Sequence, residues 1–96
     1  MAYFVYIMAS RKHGTLYVGS TGDLVRRVHE HREKSAEGFT TRYDVAQLVH
    51  YEVFEDYETA RQRERRIKKW NRAWKTDLIE KANPDWRDLW DDIARP

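Results

Sequence analysis

The segment from Tyr3 to Met8 is apolar or aromatic at every position, so neither of its alternating faces is suited to water. Successive side chains of a strand point to opposite sides of a sheet, and a strand of this kind must be covered on both sides. We therefore predict a central strand here. Thr15–Gly19, which alternates through Leu16 and Val18 after a short loop containing Gly14, predicts an antiparallel hairpin partner.

The remainder of the chain predicts mainly helices. A helix is expected from Leu24 to near Lys34, followed by a loop over Ser35–Arg42 and a third strand over Gln47–Phe54. Two more helices follow, one capped by Asp56 and ending near Trp70 and one capped by Asn71 and ending near Ala82. The chain is expected to end in a short amphipathic helical segment with Trp86, Leu89, Trp90 and Ile93. The order β-β-α-β-α-α predicts an α+β fold, with helices flanking a small three-stranded sheet that is mixed or antiparallel.

Composition limits what such a chain can be. Ninety-six residues with 41% hydrophobic content predict one domain over residues 1–96, with a single modest core. The absence of cysteine excludes disulfides and thiolate metal sites. No apolar run approaches the roughly 18 residues of a membrane span, and the start lacks the pattern of a signal peptide. We therefore expect a cytoplasmic location and no membrane partner.

Charge is distributed unevenly along the chain, although the formal net charge is only +2. Residues 57–81 contain 9 Lys and Arg against 4 Asp and Glu, whereas residues 37–56 contain 1 against 5. A clustered basic segment favours a polyanionic partner, while a solvated helix face is the simpler alternative. The two basic stretches are the predicted helices that also carry the candidate residues described next.

An ordered set of residues indicates phosphate chemistry. Phe4-Val5-Tyr6 lies on the first predicted strand, Tyr17-Val18-Gly19 ends the second, Arg27 and His31 follow one turn apart on a helix, and Glu64 lies on a second helix. This order resembles the GIY-YIG nucleases. The two tripeptides occupy the positions of the two motifs, with phenylalanine in place of the first glycine.

The resemblance continues through Ala60–Trp70 and Asn83–Leu89, which look like the small stand-alone bacterial members of that superfamily. It implies a metal-dependent endonuclease that hydrolyses DNA phosphodiester bonds in DNA repair or processing, with one Mg²⁺ or Mn²⁺ and no small-molecule cofactor. The direction of the third strand also follows from the resemblance. Asn83 would correspond to a late site asparagine, although a turn before Pro84 explains it equally well.

Helical geometry separates the two adjacent arginines. With Leu24 at zero and about 100° per residue, His31 lies at about −20° and Arg27 at about −60°, which places both at the border of the buried face. Arg26 lies at about 200° and should be solvated. His29 and His31 are two residues apart and do not share a face, so they do not form a metal pair.

Glu64 is the sole acid within Arg61–Lys69, and it lies on the same stripe as Ala60 and Ile67. A carboxylate on an apolar stripe needs a partner. One alternative is a salt bridge to a neighbouring arginine, Arg27 included. The other is a divalent cation, for which one carboxylate completed by water and substrate oxygens suits Mg²⁺ or Mn²⁺ better than zinc.

The resemblance implies that Tyr17 is the general base and that Tyr6 is its hydrogen-bond partner or positions the water, although these roles could be exchanged. Arg27 would present its fork of donors to the phosphoryl oxygens. The structural alternatives remain open, since a strand tyrosine is often a core residue and His31 could be a hydrogen-bonded structural histidine.

Several further residues are expected to contact nucleic acid. Gly19 would let the backbone approach a phosphate at the start of the following helix. The basic contacts would come from Arg26, Arg61, Arg65 and Lys68. The tryptophans are expected to pack in the core or tail, namely Trp70, Trp74, Trp86 and Trp90. Two other functions remain open: a non-catalytic nucleic-acid-binding module, and a protein-interaction adaptor that uses the tryptophan-rich tail.

Overall fold

A computed structural model describes residues 1–34, 38 and 42–94. Most of the loop predicted over Ser35–Arg42 lies outside the described residues. The elements are β1 (Tyr3–Ala9), β2 (Leu16–Thr21), α1 (Leu24–Arg32), β3 (Gln47–Phe54), α2 (Tyr57–Lys69), α3 (Arg72–Ala82) and α4 (Trp90–Ala94). This order confirms the predicted α+β arrangement. Within the described ranges, no helix is long and apolar enough to cross a membrane.

The sheet has the order β2-β1-β3, with β1 in the centre. Both pairings are antiparallel, which resolves the direction of β3. In the register of the sheet, Tyr6 lies opposite Gly19 on one side and Tyr51 on the other. Because side chains of directly opposed residues point to the same face, this register sets what each face of the sheet carries.

Both faces of β1 are covered, as its apolar sequence requires. On one face, Val5, Ile7 and Ala9 are buried against α2 and α3, and the cluster is completed by Val18, Val49, Ala60, Ile67, Ile79 and Trp86. On the other face, Tyr6 and Met8 are buried against α1 and the C-terminal segment, and that cluster is completed by Leu24, Val28, Val45 and Leu48. The sheet is therefore the middle layer of three.

Each long helix begins at a residue whose side chain caps it. Asp23 accepts a hydrogen bond from the backbone N–H of Arg26, and Asp56 accepts one from Thr59. Asn71 caps α3 in the same way. Caps of this kind satisfy backbone donors that have no partner inside the helix, and each contributes about 1 kcal/mol. These starting points were all predicted, and they fix where α1 and α2 leave the sheet.

The loop between β1 and β2 is attached to α3. Arg72 donates a hydrogen bond to the carbonyl oxygen of Gly14. The ring of His13 lies 5.0 Å from that of Trp86, centroid to centroid, and its Nε2 is 3.8 Å from a carboxylate oxygen of Glu80. The hairpin is thus held at its turn as well as along its strands.

The tryptophans only partly follow the prediction that they pack mostly in the core or tail. Trp86 is buried, and Trp70 and Trp90 are partly buried. Trp74 is 57% exposed, so its predicted packing role is wrong. It follows the exposed start of α3 and contacts Trp70 edge to face, at 6.0 Å between ring centroids.

Asn83 joins three segments at the end of α3. Its side-chain amide donates to the backbone oxygens of Val49 at 3.0 Å and Arg87 at 2.9 Å, and its carbonyl oxygen accepts from the N–H of Arg87 at 3.0 Å. The side chain is 7% exposed. These bonds tie β3 to the chain that leaves α3, which gives Asn83 a structural role.

We expect Asn83→Ala to lower the free energy of unfolding by about 3 kcal/mol, because it leaves buried backbone groups without partners. Asn71→Ala is the matched control. It removes an exposed cap and should cost about 1 kcal/mol. Urea denaturation followed by circular dichroism measures both, and similar losses in the two variants would contradict this role for Asn83.

Candidate active site

Three aromatic rings cluster on the α1 side of the sheet, next to the edge strand β2. The ring centroids of Tyr6 and Tyr17 are 6.2 Å apart, those of Tyr17 and His31 5.4 Å, and those of Tyr6 and His31 5.9 Å. A hydrogen bond of 3.2 Å joins the Tyr6 hydroxyl to Nε2 of His31. The two tyrosines and the histidine predicted from the sequence therefore do meet.

Gly19 makes room for this cluster. A Cβ at this position would lie 2.6 Å from the Tyr6 hydroxyl oxygen and 3.0 Å from the ring of Tyr17. Contacts this short would force both rings to shift, so the cluster requires a residue without a side chain here. Gly19 was predicted to let the backbone approach a phosphate, and its place against the two rings is a packing reason for glycine that the sequence did not reveal.

Burial keeps two of these groups uncharged. It raises the pKa of Tyr6 well above its ordinary value of 10, an effect increased by Tyr17 and opposed by Arg27. Burial also lowers the pKa of His31 to about 4, with the positive charge of Arg27 acting in the same direction. At neutral pH the buried hydroxyl is therefore protonated and the imidazole is neutral.

The two adjacent arginines differ as the helical angles predict. The side chain of Arg27 is 38% exposed and that of Arg26 is 76% exposed. Arg27 interacts electrostatically with both Tyr6 and Tyr17. Glu30 lies beside both arginines, 2.7 Å from Nη1 of Arg27 and 3.4 Å from Nε of Arg26.

Glu64 approaches β2 from the opposite face of the sheet. Its side chain is 11% exposed, Ser20 donates a hydrogen bond to Oε1, and Nζ of Lys68 lies 2.6 Å from Oε2. Burial opposes ionisation, but the hydrogen bonds from Lys68 and Ser20 outweigh it, so the pKa lies below its ordinary value. The salt-bridge alternative is thus seen, with Lys68 as the partner in place of the expected arginine.

The edge strand β2 lies between the aromatic cluster on one face of the sheet and Glu64 on the other. Gly19 and Ser20 are neighbours on β2, with Gly19 facing the tyrosines and Ser20 facing Glu64. The negative charge of Glu64 also contributes to the raised pKa of Tyr6, so the two sides interact across the strand. All five residues predicted as catalytic or metal-binding therefore lie around one edge of the sheet.

The donor set at Glu64 fits a hard divalent cation. Among the residues that the structure describes, no group of three or more His, Cys, Asp or Glu side chains could enclose a metal. A single carboxylate beside the hydroxyl of Ser20 offers only oxygen ligands, and Mg²⁺ commonly binds through one or two carboxylates while keeping several waters. Each carboxylate oxygen has two lone pairs, so the hydrogen bond from Ser20 leaves capacity for a cation.

The basic residues predicted to bind nucleic acid are distributed over α1 and α2. Arg61 is partly buried and close enough to Glu64 to lower its pKa, whereas Arg65 is exposed on α2. Lys68 is 49% exposed even while paired with Glu64. Arg26 and Arg27 line an open pocket of about 320 Å³ whose other walls are Thr21, Gly22, Asp23 and Glu30.

Sequence reasoning missed Glu30 and Ser20. Glu30 could have been found, since it lies three and four residues after the two arginines and such spacings bring side chains together on a helix. Ser20 gave no comparable signal. Its contact with Glu64 spans 44 positions in the chain and depends on how α2 packs against the sheet.

Comparisons with known proteins agree with this geometry. Residues 2–77 match the family model described as the GIY-YIG catalytic domain. This chain belongs to the GIY-YIG family. That membership places it in a nuclease superfamily, suggests a nucleic-acid substrate, and associates it with enzymes that generally use divalent metal ions.

Its relatives include UPF0213 proteins. One from Haloquadratum walsbyi is 37% identical over 80 residues, which cover 83% of this chain and 89% of that protein. One from Clostridium perfringens is 36% identical over 76 residues, covering 79% and 81%. The solution NMR structure of a UPF0213 protein from Bacillus halodurans matches with a TM-score of 0.58 at 27% identity, covering 93% of this chain and 94% of that one.

The neutral state of His31 predicts a pH effect on the stability of this GIY-YIG domain. Its folded pKa of about 4 lies below its ordinary 6.5, so the unfolded chain binds more protons as the pH falls through 6.5. The stabilising contribution is therefore complete above 6.5 and decreases toward pH 4. Between pH 7.5 and 5 the free energy of unfolding should drop by about 2 kcal/mol from this residue.

Urea denaturation of the wild type and of His31→Gln at both pH values measures this contribution. The variant should lose that part of the pH dependence, because glutamine does not titrate. Equal pH dependence in the two proteins would show that His31 is not held neutral in the fold.

Proposed function

We propose that this GIY-YIG domain is a metal-dependent endonuclease that hydrolyses DNA phosphodiester bonds in DNA repair or processing. The observation that carries the proposal is that Tyr6, Tyr17 and Arg27 on one face of the edge strand, and Glu64 on the other, lie around its adjacent residues Gly19 and Ser20. The group combines the guanidinium of Arg27, the partly buried hydroxyl-bearing side chain of Tyr17 and the carboxylate of Glu64 at one edge of the sheet. These are the groups that an in-line attack on a phosphodiester uses.

The surroundings of the two tyrosines support assigning Tyr17 as the general base. Tyr6 is 1% exposed and its pKa is raised by burial, so its proton is difficult to remove. Tyr17 is partly buried at the edge of the same cluster, where a water could approach. Tyr6 and His31 pack against the ring of Tyr17 from the core side and thereby fix its orientation.

Arg27 is the group that we assign to the phosphoryl oxygens. Its guanidinium interacts with both tyrosines, and planar paired donors suit phosphate geometry. In this structure Arg27 is paired with Glu30, and an incoming phosphate would take over part of that interaction.

Glu64 and the hydroxyl of Ser20 are the residues that would hold one Mg²⁺ or Mn²⁺. When bound, the cation supplies positive charge that stabilises the leaving oxygen. Lys68 would release one carboxylate oxygen on binding. Substrate contacts then come from the backbone beside Gly19 and from basic side chains of α1 and α2, which are Arg26, Arg61, Arg65 and Lys68.

One observation favours a second candidate, a non-catalytic nucleic-acid-binding module. Glu64 already forms an ion pair with Lys68, and Arg27 forms one with Glu30. A site whose charges are internally paired could hold phosphates without cleaving them. The two functions differ in whether Glu64 is needed for a metal-dependent reaction, so that residue separates them.

We expect Glu64→Gln to abolish cleavage of DNA in Mg²⁺ or Mn²⁺ while retaining the fold and much of the DNA binding, because the side chain keeps its shape and loses its charge. Lys68→Gln is the matched control, since it breaks the same ion pair and leaves the carboxylate. That control should weaken binding and still cleave at saturating DNA. Full activity of Glu64→Gln, or of the wild type in excess chelator, would refute the metal-dependent mechanism.

Arg27→Ala should reduce the cleavage rate at saturating DNA by about 10²-fold or more, because it removes a donor positioned for the transition state. Arg26→Ala removes a neighbouring arginine that shares Glu30 but is 76% exposed, and it should mainly weaken binding. Single-turnover rates at saturating DNA compare the two directly. Equal rate defects would mean that Arg27 has no special place at the phosphate.

A further inference from the structure

An aromatic recess lies beside the proposed catalytic edge, and its two tyrosines, Tyr3 and Tyr57, take no part in the chemistry assigned above. Tyr57, the first residue of α2, is 55% exposed. Tyr3 packs against its ring edge to face, at 5.9 Å between centroids and 71° between planes. The guanidinium carbon of Arg61 lies 5.8 Å from the Tyr57 ring centroid, within the range of a cation–π interaction.

These contacts hold the ring of Tyr57 in place without burying it. The three residues line a recess of about 130 Å³ together with Ser20, Thr21 and Gly22. An aromatic side chain that leaves more than half of its surface in water gains little for the fold from burial. Its fixed orientation is what a stacking surface requires.

The recess is continuous with the proposed phosphate site. Thr21 and Gly22 line both the recess and the pocket that contains Arg26 and Arg27. Ser20, on the wall of the recess, is hydrogen-bonded to Glu64. A chain of phosphates bound along the arginines would therefore pass directly by the aromatic ring.

The spacing also fits a polynucleotide. Seven residues of α2 separate Tyr57 from Glu64, a rise of about 10 Å. The ring and the cation site are therefore close enough for one short stretch of an unpaired strand to contact both. Bases that are free of a duplex stack readily on tyrosine rings and on arginine planes.

We propose that Tyr57 and Arg61 form a subsite for an unpaired nucleobase, within a short stretch of strand from the scissile phosphate. This inference rests on the proposed function. It specifies the substrate as nucleic acid with a single-stranded segment next to the cleavage point. The positive charge of Arg61 complements the negative charge of nucleic acid. Its guanidinium would contact both the Tyr57 ring and the phosphate that follows the stacked base.

The test measures binding in excess chelator, so that no cleavage intervenes. The probes are a single-stranded DNA oligonucleotide containing 2-aminopurine and a blunt duplex of the same sequence. Tyr57→Leu removes the ring and keeps an apolar side chain, and Tyr57→Phe keeps the ring. Trp74→Ala is the matched control, because it removes an equally exposed aromatic side chain that lines a separate groove with Trp70, Leu78 and Lys81.

We expect Tyr57→Leu to weaken single-strand binding by about 10-fold or more and to abolish stacking-induced quenching of 2-aminopurine, since stacking of one base contributes that much to affinity. Duplex affinity should change by less than about 2-fold. Tyr57→Phe and Trp74→Ala should bind both probes as the wild type does.

Unchanged single-strand affinity and quenching in Tyr57→Leu would overturn the subsite, and that is also the result if the recess serves a protein. An equal loss on the duplex, or the same loss in Trp74→Ala, would overturn it as well. The wild type tests the proposed function separately: if it binds neither probe, both proposals fail. If it binds and cleaves DNA while Tyr57→Leu behaves normally, only the subsite fails.

Discussion

The arrangement of this molecule depends on burying the Tyr6 side chain in a strand that has no exposed face. Val5, Ile7 and Met8 commit β1 to the centre of three layers, and Tyr6 must then enter the core with its hydroxyl. A buried hydroxyl without a partner costs about 1–3 kcal/mol, so a hydrogen-bonding group has to be near. His31 meets this need from α1.

The same constraint explains why the candidate site lies where it does. The Tyr6 ring occupies the space in which Gly19 would otherwise carry a side chain, and this brings the ring of Tyr17 against it. Burial then keeps Tyr6 and His31 uncharged, so the charged partner of Arg27 is Glu30 and neither of these two core residues. Tyr6 and His31 are core residues that the fold itself requires. An active site built on them is therefore held in place by the packing of the core.

The charged groups at the edge are held less firmly. Arg27 and Lys68 are 38% and 49% exposed while paired with Glu30 and Glu64. Exposed ion pairs contribute about 0–1 kcal/mol, whereas hydrogen bonds between an arginine and a phosphate are charge-assisted and stronger. A phosphate could therefore replace Glu30 beside Arg27 at small cost. The carboxylate of Glu64 is only 11% exposed and also accepts from Ser20, so that end of its pair with Lys68 is held more firmly.

Periodicity predicted the residues within single elements, whereas contacts between elements were predicted only where the family resemblance implied them, as for Tyr6, Tyr17 and His31. The burial of both faces of β1 follows from strand periodicity, and the difference in exposure between Arg26 and Arg27 follows from helix periodicity. The contact between Ser20 and Glu64 depends on the packing of α2, which periodicity does not specify. The exposure of Trp74 was missed for a related reason, because helical spacing cannot show that a face lacks a covering element.

The hairpin turn between β1 and β2 controls which side each site residue of β2 faces. Tyr17 and Gly19 point to one face of β2 and Ser20 to the other, and a slip of one residue in strand pairing would exchange them. The attachment of Gly14 to Arg72 opposes such a slip. A side chain on α3 thereby helps to hold the tyrosines and the carboxylate on their correct sides, so register is a route by which remote substitutions could disable the chemistry while leaving every site residue intact.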